Sequence, residues 1–291
     1  MKKAYTQLHL AVLLAGLTGI LGRLITLNEL MIVCYRLLLT VLSMWVLFSF
    51  RKKIESLTAV LIAKIMGVGT IAALHWLTFY GAIKYANVSI ALVCFAAIGF
   101  FTALFEPLLL KKSLNLRELL LGLMTLSGVY IIFHFDTRYT TGIALGLVSA
   151  LLASLFPIFN RELLKKTNVE SMLVWQQLGG FLTMAALIPL YIQAFPSLRL
   201  LPSGEDLLWL LVLSWVCSVW AFQLSAAALK KLSAFTVNLS YNLEPVYGIV
   251  LAFIFFREDQ LLNGSFFVGL GLILLALGLH ALIVFSKQRR A

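Results

Sequence analysis

Long apolar runs separated by short polar breaks fill the chain. The runs cover residues 8–27, 30–50, 61–83, 88–110, 116–135, 141–160, 171–193, 206–229, 234–256 and 264–286. Each approaches the roughly 20 residues that a helix rising 1.5 Å per residue needs to cross a bilayer core of about 30 Å. They are continuous rather than alternating with period two, which excludes a membrane β-barrel. The pattern predicts an all-α integral membrane protein of about ten transmembrane helices. The first run follows Met1-Lys2-Lys3 as a signal peptide would, but no small-residue cleavage site follows it, so it is expected to remain as a span.

Composition agrees with the pattern: 62% of the 291 residues are hydrophobic and 12% charged, and the mean hydropathy is +0.99. Little chain is left for a soluble domain. A net charge of +11 raises the question of nucleic acid, yet the basic residues form no single patch. They follow topology instead. With the amino terminus in the cytoplasm, the inner segments hold sixteen Lys and Arg, among them Lys2, Lys3, Lys111, Lys112 and Arg161, and the outer segments hold four, Lys84, Arg138, Arg199 and Arg257. Both termini are therefore expected in the cytoplasm, as in a protein of a bacterial inner (plasma) membrane. Cys34, Cys94 and Cys217 fall within runs and lack CxxC spacing, so neither a disulfide framework nor a metal site is expected.

The polar break FDTRYTTG (135–142) leaves five runs on each side. An odd number per half means that two halves of one fold enter the membrane in opposite senses. AIKYANVSIAL (82–92) lies over AALKKLSAFTV (227–237) with Lys84 set on Lys230, an offset of 146, and LGLMTLSG (121–128) over GLGLILLA (269–276), an offset of 148. The expected organisation is two inverted five-helix repeats, 1–135 and 142–291, joined by an extracytoplasmic linker at 136–141.

The chain resembles the EamA-type permeases of the drug/metabolite transporter superfamily over nearly its whole length. The resemblance rests on the two five-helix units, Tyr35-Arg36-Leu37 early in the second span, Asn242-Leu243-Glu244-Pro245 in the ninth, and the exit Phe256-Arg257-Glu258. It implies ten helices around a central cavity between the repeats, and export of amino acids or related small metabolites. One departure stands out: Ile98-Gly99 occupies the place where the repeat alignment puts the counterpart of Glu244-Pro245.

In a ninth helix that starts near Ala234, Glu244 lies about ten residues, or 15 Å, inside. A carboxylate at that depth costs about 2.5 to 3.5 kcal/mol on insertion scales, so it should face protein or a watery cavity. Asn238, Tyr241, Asn242, Glu244 and Pro245 share an arc of that helix, and Pro245 would free the carbonyl of Tyr241 to bind solute or water. Glu244 can exchange a proton, bind a solute amine, or satisfy a structural neighbour. Arg36 can hold a solute carboxylate, pair with Glu244 or Glu29, or bond to carbonyls. His75, Trp76, Phe79 and Tyr80 form an aromatic face on the third span; Gln176, Gln177 and Gln223 add polar candidates in the seventh and eighth. Glu106 is expected as a gate or as a helix-end ion pair with Lys111 or Lys112.

No phosphate-binding loop, HExxH or dinucleotide fingerprint occurs. The resulting expectation is a secondary transporter of a small organic solute, embedded in the lipid bilayer, without cofactor, metal or nucleic-acid partner, monomeric or homodimeric. The rival is an intramembrane enzyme acting on a lipid or lipid-linked substrate, with Glu244 and His75 as acid and base.

Overall fold

A computed structural model describes residues 2–111, 113–135, 137–197, 199–229, 231–232 and 240–288. Twelve helices occur among them: α1 (Lys2–Leu24), α2 (Glu29–Phe50), α3 (Ala59–Tyr85), α4 (Val88–Phe95), α5 (Ile98–Leu110), α6 (Leu116–Phe135), α7 (Thr140–Leu163), α8 (Val169–Ala194), α9 (Gly204–Leu211), α10 (Ala221–Leu229), α11 (Glu244–Phe256) and α12 (Gly264–Gln288). A π-helical stretch, Val212–Trp220, joins α9 to α10, and no strand occurs among the described residues. Eight helical segments are long and apolar enough to cross a membrane, and α11 is a shorter apolar helix. The protein is an all-α integral membrane protein, and its helices fall where the apolar runs predict them.

Side-chain caps set the starts of several helices. The Asn28 carboxamide accepts from Met31 N at 2.9 Å, and Asn168 accepts from Ser171 N at 2.7 Å, so α2 and α8 begin with the same device at an offset of 140 (168 − 28). The fourth span is not one helix. It breaks at Ala96–Ala97, and the ninth turns at 242–243 before α11; these two interruptions are 146 residues apart (242 − 96). Both segments end on a residue in the left-handed region, Lys111 (φ 52°) and Arg257 (φ 53°), again 146 apart (257 − 111).

Packing repeats the same correspondence. The first span, α1, packs on α10 and α11; the sixth, α7, packs on α3, α4 and α5. Spans two and seven (α2 on α8) and five and ten (α6 on α12) pack on each other. Exchanging each span with the one five places later maps these contacts onto themselves. One large apolar core joins α1, α2, α3 and α4 to α7, α11 and α12.

Several crossings have no room for a side chain. A Cβ on Gly69 of α3 would sit 2.0 Å from the Gln176 carbonyl oxygen of α8, whereas one on Gly67, two residues away, would meet nothing within 4 Å. Gly69→Ala is therefore expected to cost about 1–3 kcal/mol or more by forcing α3 and α8 apart. Gly67→Ala should be neutral or stabilising by up to about 1 kcal/mol, the ordinary gain in helix propensity. Thermal melts of both variants in detergent check the contrast; equal melting temperatures would remove the close crossing from the account.

Candidate functional site

Arg36 lies two turns beyond the Asn28 cap, about 12 Å along α2, and is 5% exposed. Its Nε donates to Ser218 Oγ at 3.2 Å and its Nη1 to the Tyr80 hydroxyl at 2.8 Å. The guanidinium carbon lies 4.4 Å from the centroid of the Trp76 ring. Ser214 Oγ donates to the Arg36 carbonyl at 3.3 Å. These partners come from α3 and the π-helical stretch, whose widened turns keep Ser214, Cys217 and Ser218 inside while Trp215 and Trp220 face outward. Ser218 Oγ also donates to the carbonyl of Leu213, five residues back, at 3.0 Å.

What the guanidinium lacks is a carboxylate. Among the described residues, no Asp or Glu oxygen lies within 4.0 Å of it, and Nη2 has no acceptor. The Arg36 charge is nonetheless within electrostatic reach of Glu244, Tyr80 and Cys217.

Glu244 is half-buried and opens α11. Here the structure corrects the sequence reading. Residues 242–243 form a turn, Leu243 N bonds to the Ser240 carbonyl at 3.0 Å, and Pro245 stands in the first helical turn, where a missing N–H forfeits no helix bond. Glu244 thus lies at a helix start rather than mid-helix, and Pro245 breaks nothing. Its carboxylate sits at the positive end of the α11 dipole. Gly16 of α1 seats this helix start, because a Cβ there would lie 3.0 Å from Gly248 N and 3.1 Å from the Glu244 carbonyl oxygen. Tyr241, just ahead of the break, shares a hydrogen bond with Ser225, and Asn242 lies in the turn, half-buried. Asn238 lies outside the described residues.

The aromatic face of α3 divides. Trp76 and Tyr80 serve Arg36, while His75 faces α7, its Nδ1 2.8 Å from Ser149 Oγ and 3.1 Å from the Ser149 carbonyl oxygen. Rings of Phe79, Phe95 and Phe156 surround the imidazole. It does not form an acid–base pair with Glu244. Gln176 donates to Asn160 Oδ1 at 2.5 Å, Gln177 is buried with Nε2 unpartnered, and Gln223 is exposed on α10. Glu106 accepts from Arg161 of α7 at 3.3 Å; Lys112 lies outside the described residues. Glu29 accepts from the Tyr191 hydroxyl at 3.2 Å. The sequence reading missed Ser214 and Ser218, whose only signal was two serines four apart in the eighth span.

The sequence profile of the EamA-like transporter family matches the chain twice, over residues 2–134 and 140–282. An uncharacterized transporter of Haemophilus influenzae is 27% identical over 170 residues, which cover 54% of this chain and 56% of that protein. An uncharacterized transporter of Clostridium kluyveri is 23% identical over 218 residues, 72% of this chain and 67% of that one. A crystal structure with a TM-score of 0.62 and 18% identity covers 97% of this chain and 98% of its own, a likeness of fold.

Removing one acceptor from a buried guanidinium leaves a desolvated donor, at a cost of about 1–3 kcal/mol. Tyr80→Phe is expected to show that loss in detergent melts, whereas Tyr35→Phe, which gives up an exposed 3.1 Å bond to the Leu200 carbonyl, should change little. Equal effects would mean that the Arg36 pocket is open to water.

Proposed function

This chain belongs to the EamA-like transporter family, a family of membrane transporters, and from that membership we propose that it moves a small zwitterionic metabolite, an amino acid or a close relative, outward by alternating access. The observation that carries the solute class is the buried Arg36 with a free Nη2 and no carboxylate against it. A charge in that position is costly unless an anion meets it. The solute carboxylate takes this place, held at the guanidinium edge and oriented by Tyr80 and Ser218. Glu244, within electrostatic reach but not in contact, receives the ammonium group. Trp76 backs the guanidinium, and Tyr241 and Asn242 stand at the break beside Glu244.

The two five-helix halves act as inverted repeats, 1–135 and 142–291, with both termini cytoplasmic in a bacterial inner membrane. Support comes from the recurring caps, breaks and left-handed helix ends, and from the excess of basic residues on the inner segments. The interrupted helices put exposed backbone ends inside the membrane, which is tolerated where they are enclosed by protein or line a cavity.

In proteoliposomes loaded with a mixture of metabolites, solutes carrying both a free carboxylate and a free ammonium are expected to exchange, and their methyl esters and N-acetyl derivatives are not. Glu244→Gln and Arg36→Gln should each lower exchange at least about tenfold, one lost charge contact being worth about 1.4 kcal/mol or more, at equal amounts of folded protein. Exchange of the esters at the rate of the parent solutes would sink the zwitterion assignment.

A further inference from the structure

Two arginines outside the central site occupy matching places. Arg23 stands in the last turn of α1 and Arg161 in the last turn of α7. The helices begin at Lys2 and Thr140, a displacement of 138 that also separates the arginines (161 − 23). Each pairs with a glutamate of the other half: Arg23 with Glu258, just past α11, and Arg161 with Glu106, near the end of α5. Five crossings separate α1 from α7, so their ends, and hence the two pairs, lie on opposite faces of the bundle.

The pairs differ in tightness. The Glu258 side chain is 0% exposed. Besides Arg23, it accepts from Val88 N at 3.1 Å, Ser89 N at 2.8 Å and Ser89 Oγ at 2.6 Å, so it caps α4. The Arg23 guanidinium also lies 4.3 Å from the centroid of the Phe256 ring. One carboxylate thereby ties the end of α1, the start of α4 and the exit of α11. At the other face, the side chains of Arg161 and Glu106 are 62% and 34% exposed, and their contact is 3.3 Å.

We propose that Arg23–Glu258 and Arg161–Glu106 are the two latches of one alternating-access cycle, both engaged in this structure, the first buried and the second partly exposed. The inference rests on the transport reading. Opening the Arg23 face separates α1 from the α4–α11 pair, and opening the opposite face separates α7 from α5. Solute reaches Arg36 and Glu244 from one face at a time because only one latch opens at a time.

Cys217, 5% exposed beside Arg36, reports access to the site. With Cys34 and Cys94 replaced by alanine, it is labelled by a membrane-impermeant methanethiosulfonate in right-side-out and inside-out vesicles. Glu258→Gln is expected to raise the labelling rate from the Arg23 face at least about fivefold by shifting the population of open molecules, while Glu106→Gln leaves the rate from that face unchanged or lower. Should Glu258→Gln fail to fold for want of its α4 cap, Arg23→Gln keeps the carboxylate on α4 and breaks only the latch, with the same rise expected. An unchanged rate from the Arg23 face in a folded latch variant overturns the proposal. Labelling needs no solute, so the two readings fail separately: metabolite exchange with unmoved labelling removes the latches, and moved labelling without exchange of any metabolite removes the transport reading.

Discussion

A guanidinium inside an apolar bundle, with no carboxylate among the described residues against it, is the constraint on which the rest of the site depends. A charged arginine cannot shed its proton to escape burial, so its surroundings must accept its donors. Ser218, Tyr80 and the Trp76 ring do so in part, and each dictates something about its own element. Tyr80 is fully buried, and a Cβ on Gly22 of α1 would come within 2.4 Å of its ring, so α1 must be bare at that level. Ser218 reaches Arg36 from a π-helical stretch, a form that ordinary packing rarely stabilises and that recurs where function requires a local change of register.

The interrupted fourth and ninth spans impose a second condition. Inside a membrane, every unpaired backbone group must find a partner, so a break in a spanning helix persists only where protein or water satisfies it. The close approach of α1 to the start of α11 over Gly16 and Gly248 encloses one break. The other ends in Ala97–Ile98 and stands next to Phe95, whose ring stacks on His75 at 5.3 Å. His75, bound to Ser149, thereby ties α3 to α7 beside the break.

The spans were legible because bilayer thickness imposes a length that hydropathy reports directly, and Arg36 was legible because a charge in such a run is costly. The breaks were not. Ala96-Ala97 contains neither glycine nor proline, and Pro245 reads as a mid-helix kink when the turn ahead of it is invisible in apolar sequence. Helix ends inside a membrane carry no polar flank to announce them. Glu258 escaped for a related reason: in the sequence it belongs to an ordinary polar exit, Arg257-Glu258-Asp259, and only the fold turns it inward onto α4. The serines facing Arg36 are small and weakly polar, common enough in membrane helices that spacing alone does not single them out.

The unequal ends of the bundle bear on how two conformations can share one sequence. A buried ion pair is a poor source of net stability, because the cost of desolvating both charges offsets most of their attraction. An exposed pair is worth about 0–1 kcal/mol. Neither pair of arginine and glutamate therefore fixes the closed face by its own strength. Each face is held instead by several separate polar ties that form together; at the Arg161 face Glu55 accepts from Thr167 and Asn168, and the Arg23 face has its own set. Asp206 accepts from Thr26 N at 2.6 Å and from Ser203, Lys84 reaches the Ile25 carbonyl, and Tyr191 reaches Glu29. These ties join the turn between α1 and α2 to α3, α8 and α9. Each contributes modestly and exchanges for water when it opens. A face held by many such bonds is geometrically specific when shut and costs little to open, which is what a two-state element needs if a small solute is to shift its balance.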